Sequence, residues 1–291
     1  MHSRELGLVL ARQLLGVEDL HFGLWDGDLE LKPGNLAAAQ QRYSDLLIGA
    51  LPQPGPVRVL DIGCGTGHML GQLLDRGYRV DGVIPSASLA KVVRQRLEKR
   101  PGCDTRLFEC RFEDFPAAEM AGRYDVALFG ESFQYIPMDA SLPVAYALLK
   151  PGGMMVICDF FKTERHGDGG PGDYSIGGGH RLSDFHAKIR ATPFRLLRDE
   201  DLTRRISPNF DLINDFLLNT VKPVGETLGR YFGDNYPVTS WIARKLLARK
   251  LAKANYKYFS GHRNKSTFER YKTYRLLVYV SRLAGPQVPA M

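Results

Sequence analysis

The sequence predicts a doubly wound α/β sheet, preceded by a helical segment and carrying a helical insertion before its last strand. Three observations carry that prediction. The run Val57–Ile62 reads as a buried parallel strand, ends on three glycines spaced two apart (Gly63, Gly65, Gly67), and passes at once into a helical pattern of Met69, Leu70, Leu73 and Leu74. Further short apolar runs at Arg79–Ile84, Tyr124–Gly130 and Met154–Phe160 alternate with helical patterns, as strands joined by crossover helices do. Finally, about 70 residues of helical pattern separate a sixth strand at Phe194–Asp199 from an aromatic, alternating seventh at Tyr274–Arg282.

The 291 residues suffice for one such domain with an elaborated cap. We read residues 1–52 as an N-terminal helical segment, 53–200 with 273–284 as the core, and 201–272 as the cap. At 44% hydrophobic residues the chain can bury a substantial core. Its four cysteines (Cys64, Cys103, Cys110, Cys158) show no C-x-x-C spacing, which argues against a disulfide framework or a metal site and for a reducing compartment. No apolar run approaches 18 residues, and the first residues are amphipathic rather than signal-like, so a soluble cytoplasmic protein is expected. The net charge of +7 is uneven. Trp241–Arg282 holds 12 Lys/Arg against Glu269 alone, leaving the remainder net acidic. A partner attracted by charge would therefore be met in the cap.

Taken in order, residues 3–16 look like an amphipathic helix opened by Ser3. The cluster His21-Phe22-Gly23-Leu24-Trp25 follows, then a helix from about Asn35 to Leu51. The glycine loop after the first strand lets a backbone approach a small molecule, and the helix start offers it free N–H groups. Spacing narrows the ligand. A dinucleotide fingerprint would put its third glycine at His68, and the G-K-S/T ending of a phosphate loop is absent.

The pattern Asp61-x-Gly63-x-Gly65-x-Gly67 resembles motif I of the class I S-adenosylmethionine-dependent methyltransferases, which is expected to make the fold a seven-stranded Rossmann-like sheet in the order 3-2-1-4-5-7-6. The resemblance implies that the loop (Asp61, Gly63, Cys64, Gly65, Gly67, His68) holds the methionyl end of S-adenosyl-L-methionine. His21–Trp25 resembles the H-F/Y-G-x-W segment of the small-molecule and lipid branch (tocopherol, sterol and cyclopropane-fatty-acid synthase-like), where it lies over the cofactor as a lid. Trp25 is then a substrate contact or, alternatively, a plug at the core edge.

The second strand ends in Ile84-Pro85-Ser86, where many relatives carry an acid for the ribose; tocopherol methyltransferases lack it too. Ribose contacts are therefore expected from Ser86, backbone groups or a water. Arg111, after the third strand, aligns where many relatives set an aspartate beside the adenine, and Arg111 with Phe112 is expected to line the cofactor site. Glu131-Ser132-Phe133-Gln134-Tyr135-Ile136-Pro137 resembles the E-S-x-x-(H/Y)-(M/I/V)-P segment at the cofactor–substrate junction, and Leu148–Gly153 resembles the L-K-P-G-G turn before strand 5. The D/N/S-P-P-aromatic motif of enzymes that methylate base amino groups is absent, so no DNA partner is expected.

His166–His180 contains seven glycines in 15 residues and reads as a loop at the carboxyl edge of the sheet, a candidate substrate lid. The expected function is methyl transfer to a small, lipophilic acceptor. His180 leads the general-base candidates because imidazole titrates near neutrality; Tyr135, His21 and Glu131 follow. Phe133, Tyr135, Phe160, His180 and Trp25 are the expected substrate contacts. The cap sequence Trp241–Leu251 pairs leucines with cations. It reads as a solvated face, as a contact with anionic membrane through 241–272, or, third, as an RNA surface. An RNA- or protein-directed methyltransferase and a non-catalytic cofactor-binding protein are the rival readings.

Overall fold

Runs of β-branched and leucine residues become strands here because a parallel sheet covered on both faces buries nearly every position. The computed structural model describes residues 16–19, 21–165 and 176–282. Its strands are β1 (Arg58–Ile62), β2 (Arg79–Val83), β3 (Leu107–Phe108), β4 (Tyr124–Gly130), β5 (Leu149–Lys162), β6 (Phe194–Asp201) and β7 (Lys272–Ser281). They form one sheet in the order β3-β2-β1-β4-β5-β7-β6, as expected. β7 is antiparallel to both β5 and β6, and every other pairing is parallel. Alternation sorts neighbouring residues to opposite faces: Val59, Val126 and Val156 join one core, Leu60, Ala127 and Ile157 the other.

Two strands differ from the sequence reading. β3, expected near Thr105–Cys110, is only two residues long, and just before it the Arg106 N–H is taken by the Asp81 side chain at 2.9 Å rather than by a ladder partner. β5 begins earlier, at Leu149. The Leu148–Gly153 turn sits inside the strand as a bulge, with Tyr124 opposite Leu149 but Val126 opposite Met154.

The flanking helices are α1 (Leu36–Gly49), α2 (His68–Asp75), α3 (Ala87–Glu98), α4 (Met138–Leu148) and α5 (Leu182–Arg190). Between β6 and β7 come α6 (Thr203–Ile206), α7 (Pro208–Phe216), α8 (Lys222–Asn235), α9 (Pro237–Phe259) and α10 (Lys265–Tyr271), with a π-helical turn at Leu217–Val221 between α7 and α8. The cap is thus helical as expected. Its inner part, α7 with α10, packs Phe210 against Phe268 with ring centroids 4.3 Å apart. Its outer part, α8 and α9, buries no described side chain. The expected helix over 3–16 and most of the glycine-rich loop, residues 166–175, lie outside the described residues.

Candidate active site

The carboxyl ends of β1, β2 and β4 open onto a cavity of about 1180 Å³. Such a crevice at a topological switch point is where doubly wound sheets bind ligands. Its floor is the glycine loop. Gly63 has φ +79°, and a Cβ built there would lie 2.5 Å from the Ser132 Cβ; Gly65, with φ +56°, also lines the cavity. Ser132 is drawn into that close approach by its own hydroxyl, which donates to the Ile62 carbonyl at the end of β1. Asp61, the last acid of β1, is buried, and its Oδ2 has no hydrogen-bond partner among the described residues. Burial, together with the negative charge of Asp19, pushes its carboxyl up to about 7.

Cys64, Ile84, Pro85, Ser86, Arg111, Phe112, Glu131, Ser132, Tyr135 and His21 also line this cavity, so most of the expected cofactor residues converge. Ser86 additionally caps α3, accepting from the Leu89 N–H. The one acid inside β2, Asp81, is fully buried and held by Arg58, the Arg106 N–H and the Tyr124 hydroxyl. It does not substitute for the acid missing at Ile84.

Six expected site residues do other work. Gly67 starts α2 at φ +74° and packs against the Val93 methyls, where a Cβ would come within 3.1 Å, so it serves the contact between α2 and α3. His68 turns from the loop to place its Nδ1 2.6 Å from Asp19 Oδ2. Trp25 is the core-edge plug: it packs with Val17, Leu36, Ala39 and Leu212, and its Nε1 donates to Asn209 of the cap at 3.0 Å. Phe133 is wholly buried among Phe129, Phe161 and Phe185, because the 3₁₀ turn Phe133–Tyr135 drives its ring into the core. Phe160 lies under the cap against Phe268. His180 spends its Nε2 on the carbonyls of Phe133 and Ile136, 3.1 and 2.9 Å away, and so ties the end of the glycine-rich segment to that turn. None of the six lines the cavity.

The polar wall that remains is a connected series. Glu131 sits at φ +54°, a conformation a non-glycine residue adopts rarely and at a cost of about 1–3 kcal/mol. Its Oε1 accepts from the Phe22 N–H and from the Tyr274 hydroxyl, both at 2.8 Å. Burial raises its carboxyl above the ordinary range. Tyr274 meets Tyr43 at 3.2 Å, and His21 stacks on Tyr43 with centroids 4.3 Å apart. His21 donates from Nδ1 to the Phe22 carbonyl at 2.9 Å and turns Nε2 toward Asp19 Oδ1 at 3.5 Å. Burial disfavours its charged form, but the Asp19 carboxylate outweighs burial and lifts its pKa. Asp19 itself, though buried, is held below the usual carboxylate range by the two imidazoles. His21 is thus held by Asp19 with its charged form favoured, and Glu131 is a buried carboxyl facing the cavity.

Asp19, Tyr43, Thr66, Glu113 and Tyr258 line the cavity without having been expected there. Asp19 stands two residues before the aromatic cluster and carries no motif. Thr66 lies inside motif I and donates to the Glu18 carbonyl at 2.8 Å, so its proximity to the glycines is a signal that was available. Tyr258, at the end of α9, reaches the site only because the cap folds back.

An orphaned, buried carboxylate oxygen above a glycine loop fits a ligand carrying an ammonium group. The cavity is far larger than that group needs, and it continues past Ile84 and Phe112. S-adenosylmethionine fits these residues.

Residues 59–153 match the methyltransferase domain family. The chain is 32% identical over 142 residues to the ubiquinone biosynthesis O-methyltransferase of Xanthomonas axonopodis pv. citri (strain 306), covering 48% of this chain and 56% of that protein. It therefore spans little more than half the length of that curated relative. Among solved structures, the geranyl diphosphate C-methyltransferase of Streptomyces coelicolor A3(2) superposes with a TM-score of 0.64 at 18% identity, over 94% of this chain and 91% of that one. The cyclase SpnF superposes at 0.63 and 20% identity over 97% of both chains. These likenesses establish the fold.

Proposed function

We infer that this chain is a class I S-adenosylmethionine-dependent methyltransferase that methylates a small lipophilic acceptor. The carrying observation is the unpartnered Asp61 oxygen buried beside Gly63 and Gly65. Asp61 would take the ammonium of the cofactor, Ser86 with the backbone of Ile84 and Pro85 the ribose side, and Arg111 with Phe112 the far end. When bound, the cofactor supplies an electrophilic methyl group on a sulfonium. The chain's own residues position, desolvate and take up a proton. Leu47, Leu128, Ile136 and Tyr135 give the acceptor an apolar wall. Glu131, buried and facing the cavity, accepts the acceptor's proton, and the charged form of His21, which Asp19 favours, would in turn favour the ionised form of Glu131.

Calorimetry with S-adenosylhomocysteine tests the cofactor: a micromolar Kd, roughly −8 kcal/mol, is expected for the native chain. Gly65→Val should bind none, since a branched side chain at φ +56° is strained and fills the loop. Native-like binding by that variant would sink the reading. Glu131→Gln keeps the shape of the site. It should bind S-adenosylhomocysteine normally while losing turnover by roughly 10²–10⁴-fold, the usual worth of a general base.

The name of the ubiquinone-pathway relative supports a lipophilic acceptor and O-methylation. Where such an acceptor dissolves in a bilayer, the cap supplies a docking face. Along α8, Val224, Leu228, Tyr231 and Phe232 recur at helical spacing and are each more than half exposed. α9 differs from the clean leucine stripe expected of it. Apolar and basic positions interleave around its circumference, with Leu246 and Leu247 about 100° apart. Val238, Ile242 and Leu246 are exposed alongside Lys245, Arg249 and Lys253. Interleaving of that kind suits a bilayer interface, where basic side chains extend to headgroups over buried apolar ones. Among the described residues, no helix is long and apolar enough to cross a membrane.

A further inference from the structure

Most half-buried cations of the core lie against an acid. Arg58 meets Asp81, Lys150 meets Asp125, Arg205 meets Asp26, and Arg275 meets Asp199. One group breaks the pattern. Lys162 and Lys272 are direct cross-strand partners of β5 and β7, so their side chains leave the sheet on the same face. Like charges in that arrangement destabilise a sheet. Lys272 is only 1% exposed, and its ammonium donates to the Gly178 carbonyl and stands 5.2 Å from the Phe160 ring centre. Arg263, in the turn between α9 and α10, is half-buried. No ion pair to any of the three exists among the described residues.

Burial, and after it the charges of Lys162 and Arg263, push the Lys272 amine down to about 7. Burial also lowers Arg263, and the group that offsets this is Tyr258. Tyr258 in turn lines the ligand cavity. The same sheet face carries Tyr274, two residues from Lys272, whose hydroxyl meets Glu131. None of the three cations lines the cavity itself; they lie behind the wall that Tyr258 and the Tyr274–Glu131 contact form, away from the glycine loop.

Cations gathered out of water without counter-charge are costly, and sites of this kind persist where a ligand supplies the missing charge. We propose that Lys162, Lys272 and Arg263 form a subsite for an oxyanion, phosphate or carboxylate, carried by the acceptor. The proposal rests on the methyltransferase reading for the acceptor's identity, but the anion subsite can be measured without turnover.

The probes are decyl phosphate, decanoate and decanol, each titrated below its aggregation limit into the full chain saturated with S-adenosylhomocysteine. At least one anion should bind tenfold or more tightly than decanol, and which anion wins separates phosphate from carboxylate. Arg263→Gln and Lys162→Gln should each erase most of that preference while binding S-adenosylhomocysteine as the native chain does. A variant with Lys245, Arg249, Lys250 and Lys253 changed to Gln should keep the preference, which separates this subsite from a membrane face. Equal binding of anions and decanol, or an undiminished preference in both single variants, would overturn the proposal. So would loss of the preference in the α9 variant alone. Failure of S-adenosylhomocysteine to bind the native chain would instead count against the cofactor reading, and the anion titration then stands by itself in the ligand-free protein.

Discussion

Asp61 shows how one side chain joins stability to ligand binding. Its carboxyl titrates near 7 in the folded protein against an ordinary 3.8, chiefly because it is buried and secondarily because Asp19 is negative. Between those values the folded chain holds a proton that the unfolded chain has released. The linkage slope is therefore negative, and the stability of the ligand-free protein falls as pH rises from about 4 to about 7, by up to about 1.4 kcal/mol per unit from this group. A ligand ammonium needs the carboxylate ionised. Affinity for S-adenosylhomocysteine should accordingly climb with pH up to about 7, by as much as tenfold per unit, and Asp61→Asn should flatten that climb. Calorimetric titrations at pH 5.5, 6.5 and 7.5 check it, and an equally steep rise in the variant would assign the dependence to another group.

Among the elements, the segment His21–Trp25 is held by neighbours on two sides rather than by its own propensity. Gly23 lies so close to α1 that an added Cβ would fall 2.5 Å from that of Ala39, and the Leu24 N–H donates to the Ala39 carbonyl at 2.8 Å. On the other side, Asn209 of α7 is buried and saturated. Its Oδ1 accepts from the Gly23 N–H and the Trp25 Nε1–H, and its Nδ2 donates to the carbonyls of Gly23 and Ile206. One amide thus fastens the segment over the site to the cap. Asn209→Ala leaves buried donors and acceptors unpaired, which should cost about 2–3 kcal/mol. Thermal melting checks this, with a lowered Tm expected and weakened S-adenosylhomocysteine binding because Phe22 and His21 lose their seat. An unchanged Tm would show that the packing of Trp25 suffices without the hydrogen bonds.

For the whole molecule, charge and exposure concentrate at one end. The cap hairpin α8–α9 carries most of the exposed large aromatic and aliphatic residues, and six of the 12 Lys/Arg between Trp241 and Arg282 lie on α9. Arg244 is spent within the hairpin, since its guanidinium donates to the Gly229 carbonyl. The test variant therefore changes Lys245, Arg249, Lys250 and Lys253 to Gln. Each cation near an anionic bilayer is worth about 1 kcal/mol, so removing four should lower vesicle binding by two orders of magnitude or more. Binding to anionic vesicles should weaken with salt, and neutral vesicles should bind poorly. Vesicle flotation with the native chain and the variant decides it, and equal flotation would leave the face merely solvated.

The sequence alone determined the strands and the floor of the site, because these depend on local rules, while the strand order followed from the family its motifs resemble. Apolar runs of strand length, a glycine loop entering a helix, and acids or breakers at strand ends each act over a few residues. Hence Asp61, Gly63, Gly65, Ile84–Ser86, Glu131 and Ser132 all come together in the cavity where motif spacing places them. Tertiary structure decided which polar side chains face the ligand. His180 and His68 have the right chemistry but find partners first, in backbone carbonyls and in Asp19, and a sequence does not display a side chain's nearest competitor. Trp25, Phe133 and Phe160 are aromatic residues beside the motifs, yet packing turned each against neighbours of its own and away from the cavity lining. Asp19 and Tyr258 enter the site from positions about 40 and 200 residues along the chain from Asp61, and Lys162 meets Lys272 only through the antiparallel register of β5 and β7. Contacts of that separation arise from how the sheet closes and the cap folds back, and no local pattern encodes them.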